Sequence, residues 1–379
     1  MAEEELVRLQ PGAVLFRPGD TVAALHILKE GELEVHAVAD DEKLVPVRRV
    51  ARSGALVSEC VADLSRRASA VAAVGKAVVL FVPLGPQGLP GRIHERPAFG
   101  LALARCLAEA AKELGERYGV ESGRYLALAA PLDDGCRTFR RLHDLLKRPL
   151  AKKPELAAVL QEIESTSLWA HVRELPPEGT KPIRRREFPR LGTEDLERAG
   201  FDTEGKRFRT YPRGVSICEE GEVAHDFCFL FRGKLDALVG GVRVGSVEPG
   251  EFFGETTALL DLPIRTASVV TVDESRILTI DRRGFEPLMT SQPPLCAQLV
   301  RALSRRVEAL GADLANVRRR QETLKSLWTD PKAGFLSTIQ RLGEAVESLR
   351  EPNMPPALRE SLDELSRLKS VLRERTTGL

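Results

Sequence analysis

Short strands separated by glycine turns are predicted for the first part of the chain, residues 6–83. The stretch from Leu25 to Val35 is typical of them. It contains a strand, a Lys-Glu-Gly turn and a second strand in which apolar and polar residues alternate. Such alternation is the pattern of a strand with one buried face. Several strands at this short spacing favour an antiparallel sandwich or barrel, so we expect a β-roll here.

The same pattern returns in the second half of the chain. Three turn glycines have counterparts 202 residues further on: Gly12, Gly19 and Gly31 correspond to Gly214, Gly221 and Gly233. Residues 67–83 likewise correspond to residues 265–281, at an offset of 198. A fixed offset shared by several glycines indicates an internal repeat, so we expect two copies of one β-roll.

Helical periodicity replaces the strand pattern between and after the rolls. Residues 97–172 carry apolar residues three and four apart, and a proline-rich linker follows at residues 174–182. A long helix is predicted after Pro294, with an apolar seam at Val300, Leu303, Val307, Leu310, Leu314, Val317 and Leu324. One step of this seam is the polar Gln321. The heptad spacing favours a coiled coil, so we expect a homodimer through the C-terminal helices. The alternative is that these helical segments fold back as a bundle.

These patterns together predict a mixed β and α chain of four segments. The β-rolls are of the jelly-roll type, which is also described as a double-stranded β-helix. The expected segments are a first roll at 1–115, a helical connector with the linker at 116–187, a second roll at 188–310 and a C-terminal helical or coiled-coil region at 311–379.

Composition narrows the classes of function. The net charge of +1 over 379 residues gives no field that favours nucleic acid or an acidic membrane as a partner. The chain has no run of 18 apolar residues, and its acidic start lacks the apolar core of a secretory signal. The six cysteines form no C-x-x-C pair, so we expect reduced thiols in a cytoplasmic protein. The six histidines form no H-x-H pair, so we expect neither a metal site nor an enzyme.

One compact motif of the second roll carries the candidate chemistry. In residues 250–255 two glycines flank an aromatic pair, and the carboxylate of Glu255 follows at once. Glycine lets the backbone approach a ligand, and the N–H groups that open a short helix at Thr256 can receive a phosphate. Arg265 offers a fork of donors for phosphate oxygens, and Glu255 can accept hydrogen bonds from sugar hydroxyls. The motif therefore predicts a site for a small anionic sugar phosphate.

These residues resemble the phosphate-binding cassette of the cyclic nucleotide-binding domain family. That family includes the bacterial catabolite activator protein, the regulatory subunits of protein kinase A and the nucleotide-gated channels. Phe-Gly-Glu, the Glu-to-Arg spacing and the run Arg-Thr-Ala-Ser-Val all occur together here. The resemblance implies that Glu255 binds the ribose 2′-hydroxyl, that Arg265 binds the cyclic phosphate, and that the ligand is cAMP or cGMP with no further cofactor. It implies the ligand-binding set Phe253, Gly254, Glu255, Thr256, Arg265 and Thr266.

The first roll departs from the family pattern at the same place. Residues 54–59 stand against residues 250–255, but Ser58 replaces the close-approach glycine and Val57 replaces an aromatic residue. The carboxylate of Glu59 is retained, and the arginine follows after a shorter connection. We expect a scaffold that has lost its ligand. The alternative is a weak or altered second site at Glu59, Arg67 and Ala68.

Three functions follow from the resemblance. We expect a non-enzymatic cyclic nucleotide sensor whose helix after Pro294 moves onto the nucleotide as a lid and signals through the C-terminal helices to an unidentified protein effector. The alternative is a structural adaptor, with both rolls silent and the seam forming the dimer. A DNA-binding regulator of the catabolite activator type is the weaker interpretation, because no helix-turn-helix pattern with a basic recognition helix follows the rolls.

Overall fold

The computed structural model describes residues 4–57, 66–84, 88–147, 160–166, 208–262 and 264–329, with scattered positions in 169–172 and 337–367. The chain divides into two compact units. The first unit holds both β-rolls and comprises Met1–Ser122 and Glu187–Arg318; the second comprises Gly123–Arg186 and Arg319–Leu379. The predicted linker at 174–182 lies outside the described residues, and the four predicted segment boundaries stay predictions.

Two antiparallel sheets form the first roll. Their strands are β1 (Glu5–Leu9), β2 (Val14–Phe16), β3 (Ala24–Glu30), β4 (Leu33–Val38), β5 (Leu44–Val50), β6 (Ser69–Ala73) and β7 (Ala77–Pro83). The strand orders are β1-β7-β3 and β2-β6-β4-β5. Strand β4 shows the predicted alternation, since every second side chain from Leu33 onward is buried. Helices α1 (Gly88–Glu95) and α2 (Pro97–Lys147) follow the roll.

The second roll repeats this arrangement. Its strands are β8 (Phe208–Tyr211), β9 (Ser216–Cys218), β10 (Asp226–Arg232), β11 (Leu235–Val239), β12 (Val242–Val247), β13 (Phe252–Phe253), β14 (Ser268–Thr271) and β15 (Ser275–Asp281). Their orders are β13-β10-β15-β8 and β12-β11-β14-β9. Its helices are α3 (Glu255–Leu259), α4 (Phe285–Ser291) and α5 (Pro293–Thr329). Ala24 pairs with Pro83 as Asp226 pairs with Asp281, so equivalent strands share one register and the predicted repeat is confirmed.

The turn glycines that revealed the repeat are sterically required. Gly31 and Gly233 occupy equivalent hairpins with φ of 89° and 99°, a conformation that favours glycine. A Cβ at Gly31 would run into the backbone of Lys76, and one at Gly233 would run into the backbone of Glu274. Each hairpin therefore packs so closely on the turn that precedes the last strand of its roll that no side chain fits at the glycine position.

The apolar seam of α5 is buried against the chain's own rolls. Its residues belong to one core with side chains of both rolls: Val300, Leu303, Val307, Leu310 and Leu314 are all fully or nearly fully buried. Up to Leu314 the heptad stripe therefore meets β-sheet and helix of the same chain. A homodimer through the C-terminal helices stays a prediction.

In the second unit a buried histidine, His143, contacts Glu164 and Trp169. His143 Nε2 lies 2.8 Å from Glu164 Oε1, and its ring stacks on Trp169 with 4.0 Å between ring centroids. Ile163 and Val172 are buried within this unit. Among the described residues, none of the helices combines the length and apolarity that spanning a bilayer requires.

Leu314→Ala should lower the free energy of unfolding by about 2–5 kcal/mol, because the truncation leaves a cavity in an intramolecular core. If the seam partner lies in the same chain, the loss of melting temperature is independent of protein concentration. Thermal unfolding of wild type and variant over about a hundredfold range of concentration measures this. A loss that shrinks as the concentration rises would mean that Leu314 packs on a second chain.

Candidate functional site

A single left-handed glycine builds the candidate site. Strand β13 ends at Phe253, Gly254 follows with φ of 74°, and α3 begins at Glu255. A Cβ at Gly254 would collide with the guanidinium of Arg265, so glycine is needed for space as well as for conformation. The Thr257 hydroxyl donates a 2.7 Å hydrogen bond to the Gly254 carbonyl and fixes the turn. The turn thus places the Arg265 guanidinium against Gly254, the residue that precedes Glu255.

Glu255 is a buried carboxylate with one hydrogen-bonded oxygen and one without a partner among the described residues. Its side chain is 1% exposed. Oε1 accepts from the guanidinium of Arg306 on α5 and from the Thr256 hydroxyl at 3.3 Å. Oε2 is buried and has no hydrogen-bond partner among the described residues. A buried acceptor of this kind is costly unless a further donor reaches it, so Oε2 is a candidate contact for a ligand hydroxyl.

Arg306 anchors the long helix to this turn. Besides Glu255, its guanidinium donates a 3.3 Å hydrogen bond to the Phe252 carbonyl. The charge of Glu255 raises the pKa of Arg306 above its usual value, with a smaller contribution from Glu251. Burial raises the pKa of the neighbouring Glu251 carboxyl above its ordinary range. The turn is therefore crowded with acidic groups, and Arg306 is the cation of α5 that balances them.

Arg265, like Glu255, is a buried charge with an ion-pair partner on another element. Its side chain is 8% exposed, and its guanidinium forms an ion pair with Asp226 at the start of β10. Its backbone N–H donates to the Glu222 carbonyl at 2.7 Å. A guanidinium has five N–H donors, so pairing with one carboxylate leaves others for a phosphate. Asp226 fixes the direction of the fork.

The remaining predicted residues surround this pair. Phe253 is buried in a small core of the second roll, so its side chain supports the turn from behind. Thr256 and Thr266 are half-buried, and Thr256 is the hydroxyl that contacts Glu255. Ligand contacts by these three residues stay predictions.

The first roll uses its equivalent arginine differently. Arg67 is buried; its guanidinium donates to the Ala24 carbonyl at 2.8 Å and lies 3.2 Å from His26 Nδ1. It also covers the ring of Phe16, with 4.4 Å to the centroid. By strand register, Ala24 stands where the second roll has Asp226. Burial and the charge of Arg67 lower the pKa of His26 to about 3.

The second predicted site is accordingly only partly described. Glu59 lies outside the described residues, and Ala68 is exposed beside the buried Arg67. The guanidinium of Arg67 is engaged with its own roll, which favours the scaffold interpretation over a second ligand site. Ligand binding by Glu59, Arg67 and Ala68 stays a prediction.

A cavity of about 1300 Å³ lies apart from the glycine turn, between β5, α2, the end of α3 and α4. Its walls include charged side chains that pair with one another. Arg48 lies 3.0 Å from Glu113, and Arg105 pairs with Glu286. Neither Glu255 nor Arg265 lines it. Size alone would favour this cavity, but the unsatisfied Glu255 oxygen and the aligned arginine favour the turn as the ligand site.

Comparison with known proteins agrees with the fold and the position of the turn. Residues 6–85 and 208–292 match the family model of the cyclic nucleotide-binding domain. The two matched regions lie in the two β-rolls, so each roll is similar to the cyclic nucleotide-binding domain family. The Gly254 turn, Glu255 and Arg265 all lie inside the second matched region.

Individual relatives share only part of this chain. The cAMP-dependent protein kinase regulatory subunit of Aspergillus niger is 37% identical over 81 residues, which are 21% of this chain and 20% of that protein. A CRP-like cAMP-activated global transcriptional regulator of Mycobacterium tuberculosis is 29% identical over 112 residues, or 28% of this chain and 50% of that protein. The chain thus spans between a fifth and a half of the length of these relatives. A solved structure described as cAMP bound PfPKA-R is 16% identical over 83% of both chains, with a TM-score of 0.24.

Sequence reasoning missed Asp226 and Arg306, the two partners that hold the site. A signal for Asp226 was available, because the repeat offset of 202 aligns it with Ala24 and so marks a difference between the rolls. Arg306 carried no such signal, since an arginine beside an apolar stripe usually belongs to a solvated helix face.

Arg306→Ala should destabilise the protein, because it removes the partner of a buried carboxylate. We expect a loss somewhat below the roughly 3–5 kcal/mol found when one partner of a fully buried pair is removed. The loss is smaller because the Arg306 side chain is 34% exposed. Glu255→Gln in the Arg306→Ala background should recover part of the stability. Denaturant unfolding of wild type, Arg306→Ala, Glu255→Gln and the double variant measures the coupling energy between the two side chains. Strictly additive losses of stability would contradict the ion pair.

His26→Gln should make the protein less sensitive to acid. The folded state keeps His26 neutral down to about pH 3, whereas a free histidine protonates near 6.5. Between these values the unfolded state binds more protons, so this group makes stability fall as the pH falls. Glutamine retains an acceptor for Arg67 and removes the titration. The free energies of unfolding of variant and wild type, measured from neutral pH to about pH 4, should differ increasingly in favour of the variant as the pH falls. A difference that does not change with pH would contradict the lowered pKa of His26.

Proposed function

We propose that the second β-roll binds a cyclic nucleotide, cAMP or cGMP, at the Gly254 turn. The observation that carries this proposal is the buried and unsatisfied Oε2 of Glu255, at the same turn that the guanidinium of Arg265 contacts through Gly254. A cyclic nucleotide presents an anionic phosphate next to a ribose hydroxyl. It therefore offers one acceptor group for Arg265 and one donor for Glu255.

The two contacts have different roles. The phosphate would accept hydrogen bonds from the free edge of the Arg265 guanidinium, while Asp226 keeps the fork in its direction. The ribose 2′-hydroxyl would donate to Glu255 Oε2, which satisfies the buried oxygen without displacing Arg306 from Oε1. Because a buried polar group without a partner is costly, the hydroxyl contact should discriminate strongly against ligands that lack it.

We further propose that the protein is a regulator and not an enzyme. Helix α5 begins directly after the second roll, and its Arg306 is part of the site. A nucleotide that favours one position of α5 over another would raise the population of that position, whereas equal affinity for both positions would change nothing. The kinase regulatory subunits and the transcriptional regulator among the relatives are described as cAMP-dependent or cAMP-activated, which supports cAMP as the first ligand to test. A downstream protein effector and a homodimer remain part of this proposal.

Calorimetric titration of the full chain should show saturable binding of cAMP, cGMP or both. Arg265→Ala should weaken binding by at least about thirtyfold, because it removes a charge that is held in place for the phosphate. Arg232→Ala is the matched control, since Arg232 is an exposed arginine at the end of β10. The 2′-deoxy form of the nucleotide should bind wild type roughly tenfold or more weakly, because it leaves Glu255 Oε2 without a donor.

Two results would contradict the proposal. The absence of binding to wild type at millimolar nucleotide would favour a structural adaptor whose rolls bind nothing. Undiminished binding by Arg265→Ala would place the nucleotide elsewhere in the chain, for example in the first roll.

A further inference from the structure

Helix α5 contacts both β-rolls along one unbroken helix. In the second roll, Arg306 joins it to Glu255 and to the Phe252 carbonyl. Further along, Gly311 lies against the first roll, where a Cβ in its place would be 3.6 Å from the Cβ of Ala37 on β4. The helix backbone therefore lies close to the first sheet at this point, with room for a methyl group and for no larger side chain.

The contact with the first roll continues past Gly311. The Asp40 N–H donates a 2.7 Å hydrogen bond to Asn316 Oδ1, and the Arg318 guanidinium donates to the Pro46 carbonyl. Just before these polar contacts, Leu314 and Ala315 are buried in the same core as residues of β4 and β5. The contact therefore joins an apolar segment to a polar one at the C-terminal side, and specific interfaces likewise combine apolar packing with hydrogen bonds.

The two contacts are mechanically linked. A helix rises 1.5 Å per residue, so Arg306 and Asn316 are separated by about 15 Å of continuous helix. Helix α5 is helical from Pro293 to Thr329, with no break between the two contacts. A displacement of the helix at the first roll therefore moves Arg306 away from the glycine turn.

We propose that the first β-roll is the anchor of α5, and that docking of α5 on this roll raises the nucleotide affinity of the second roll. This inference rests on the proposed function, since it concerns regulation of the same site. Docked α5 holds Arg306 on Oε1 of Glu255 and so presents Oε2 to the ribose hydroxyl. Binding linkage is reciprocal, so the nucleotide in turn tightens the docking of α5. The partner of the first roll is then a helix of its own chain, and not a second nucleotide.

Hydrogen exchange of the full chain with and without saturating cAMP, or cGMP if that is the ligand bound, tests the reciprocal effect. We expect slower exchange in residues 33–50 of the first roll and in residues 310–318 of α5, although both lie outside the glycine turn. Protection confined to the second roll, with nucleotide bound, would overturn the anchor. This measurement needs no variant and so does not depend on how any substitution folds.

A graded substitution at Gly311 tests the effect of docking on affinity. Gly311→Leu should force α5 off the first sheet and weaken nucleotide binding by roughly five- to 150-fold. Gly311→Ala should bind like wild type, because the added Cβ meets Ala37 at an ordinary contact distance. Gly123→Leu is the matched control, since Gly123 is an exposed helical glycine whose added Cβ would meet nothing within 4 Å.

The outcomes separate this inference from the proposed function. If wild type binds and Gly311→Leu binds equally well while its residues 33–50 exchange faster, the anchor is wrong and the nucleotide site stands. If wild type binds no cyclic nucleotide, both are overturned.

Discussion

Two buried charges of opposite sign, Glu255 and Arg265, lie at one glycine turn of the second roll, and the need to compensate both imposes the main constraint on the structure. Burying a charge is expensive unless another charge or dipole compensates for it. Each of the two therefore has its own partner, Arg306 for the carboxylate and Asp226 for the guanidinium. Because these partners come from a distant helix and from the opposite strand, the turn fixes the relative positions of α5, β10 and α3. The same pairing leaves one carboxylate oxygen and part of one guanidinium for a ligand.

The two rolls show how one backbone can support different chemistry. Their strands share register, and their hairpins share the crowded glycines, yet the residues around the equivalent arginine differ. The second roll surrounds Arg265 with Asp226, Cys218 and Cys228, and burial raises the pKa of Cys228 to about 12. The first roll has Ala24, Phe16 and His26 in those places. Arg67 packs on an aromatic ring and a backbone carbonyl and is therefore part of the core. This suits a first roll that serves as the anchor of α5.

The sequence was informative where local backbone geometry decides the outcome. Glycine at fixed offsets predicts two rolls because only glycine tolerates those turns, and the glycine-glutamate pair followed by an arginine indicates the turn against which Arg265 lies. Arg306 could not be predicted, because its partner is 51 residues away and the pairing depends on how α5 packs. The heptad stripe was predicted correctly as a buried face. Its partner could not be predicted, because periodicity reports which face is apolar and does not report what covers it.

A crystal structure of the chain with bound cyclic nucleotide is the most direct test of the central claim. The account predicts the phosphate on the free edge of Arg265 and the 2′-hydroxyl within hydrogen-bond distance of Glu255 Oε2, with Arg306 still on Oε1 and α5 still seated on the first sheet. A nucleotide found in the cavity between β5, α2 and α4, or bound in the first roll with the Gly254 turn unchanged, would contradict it.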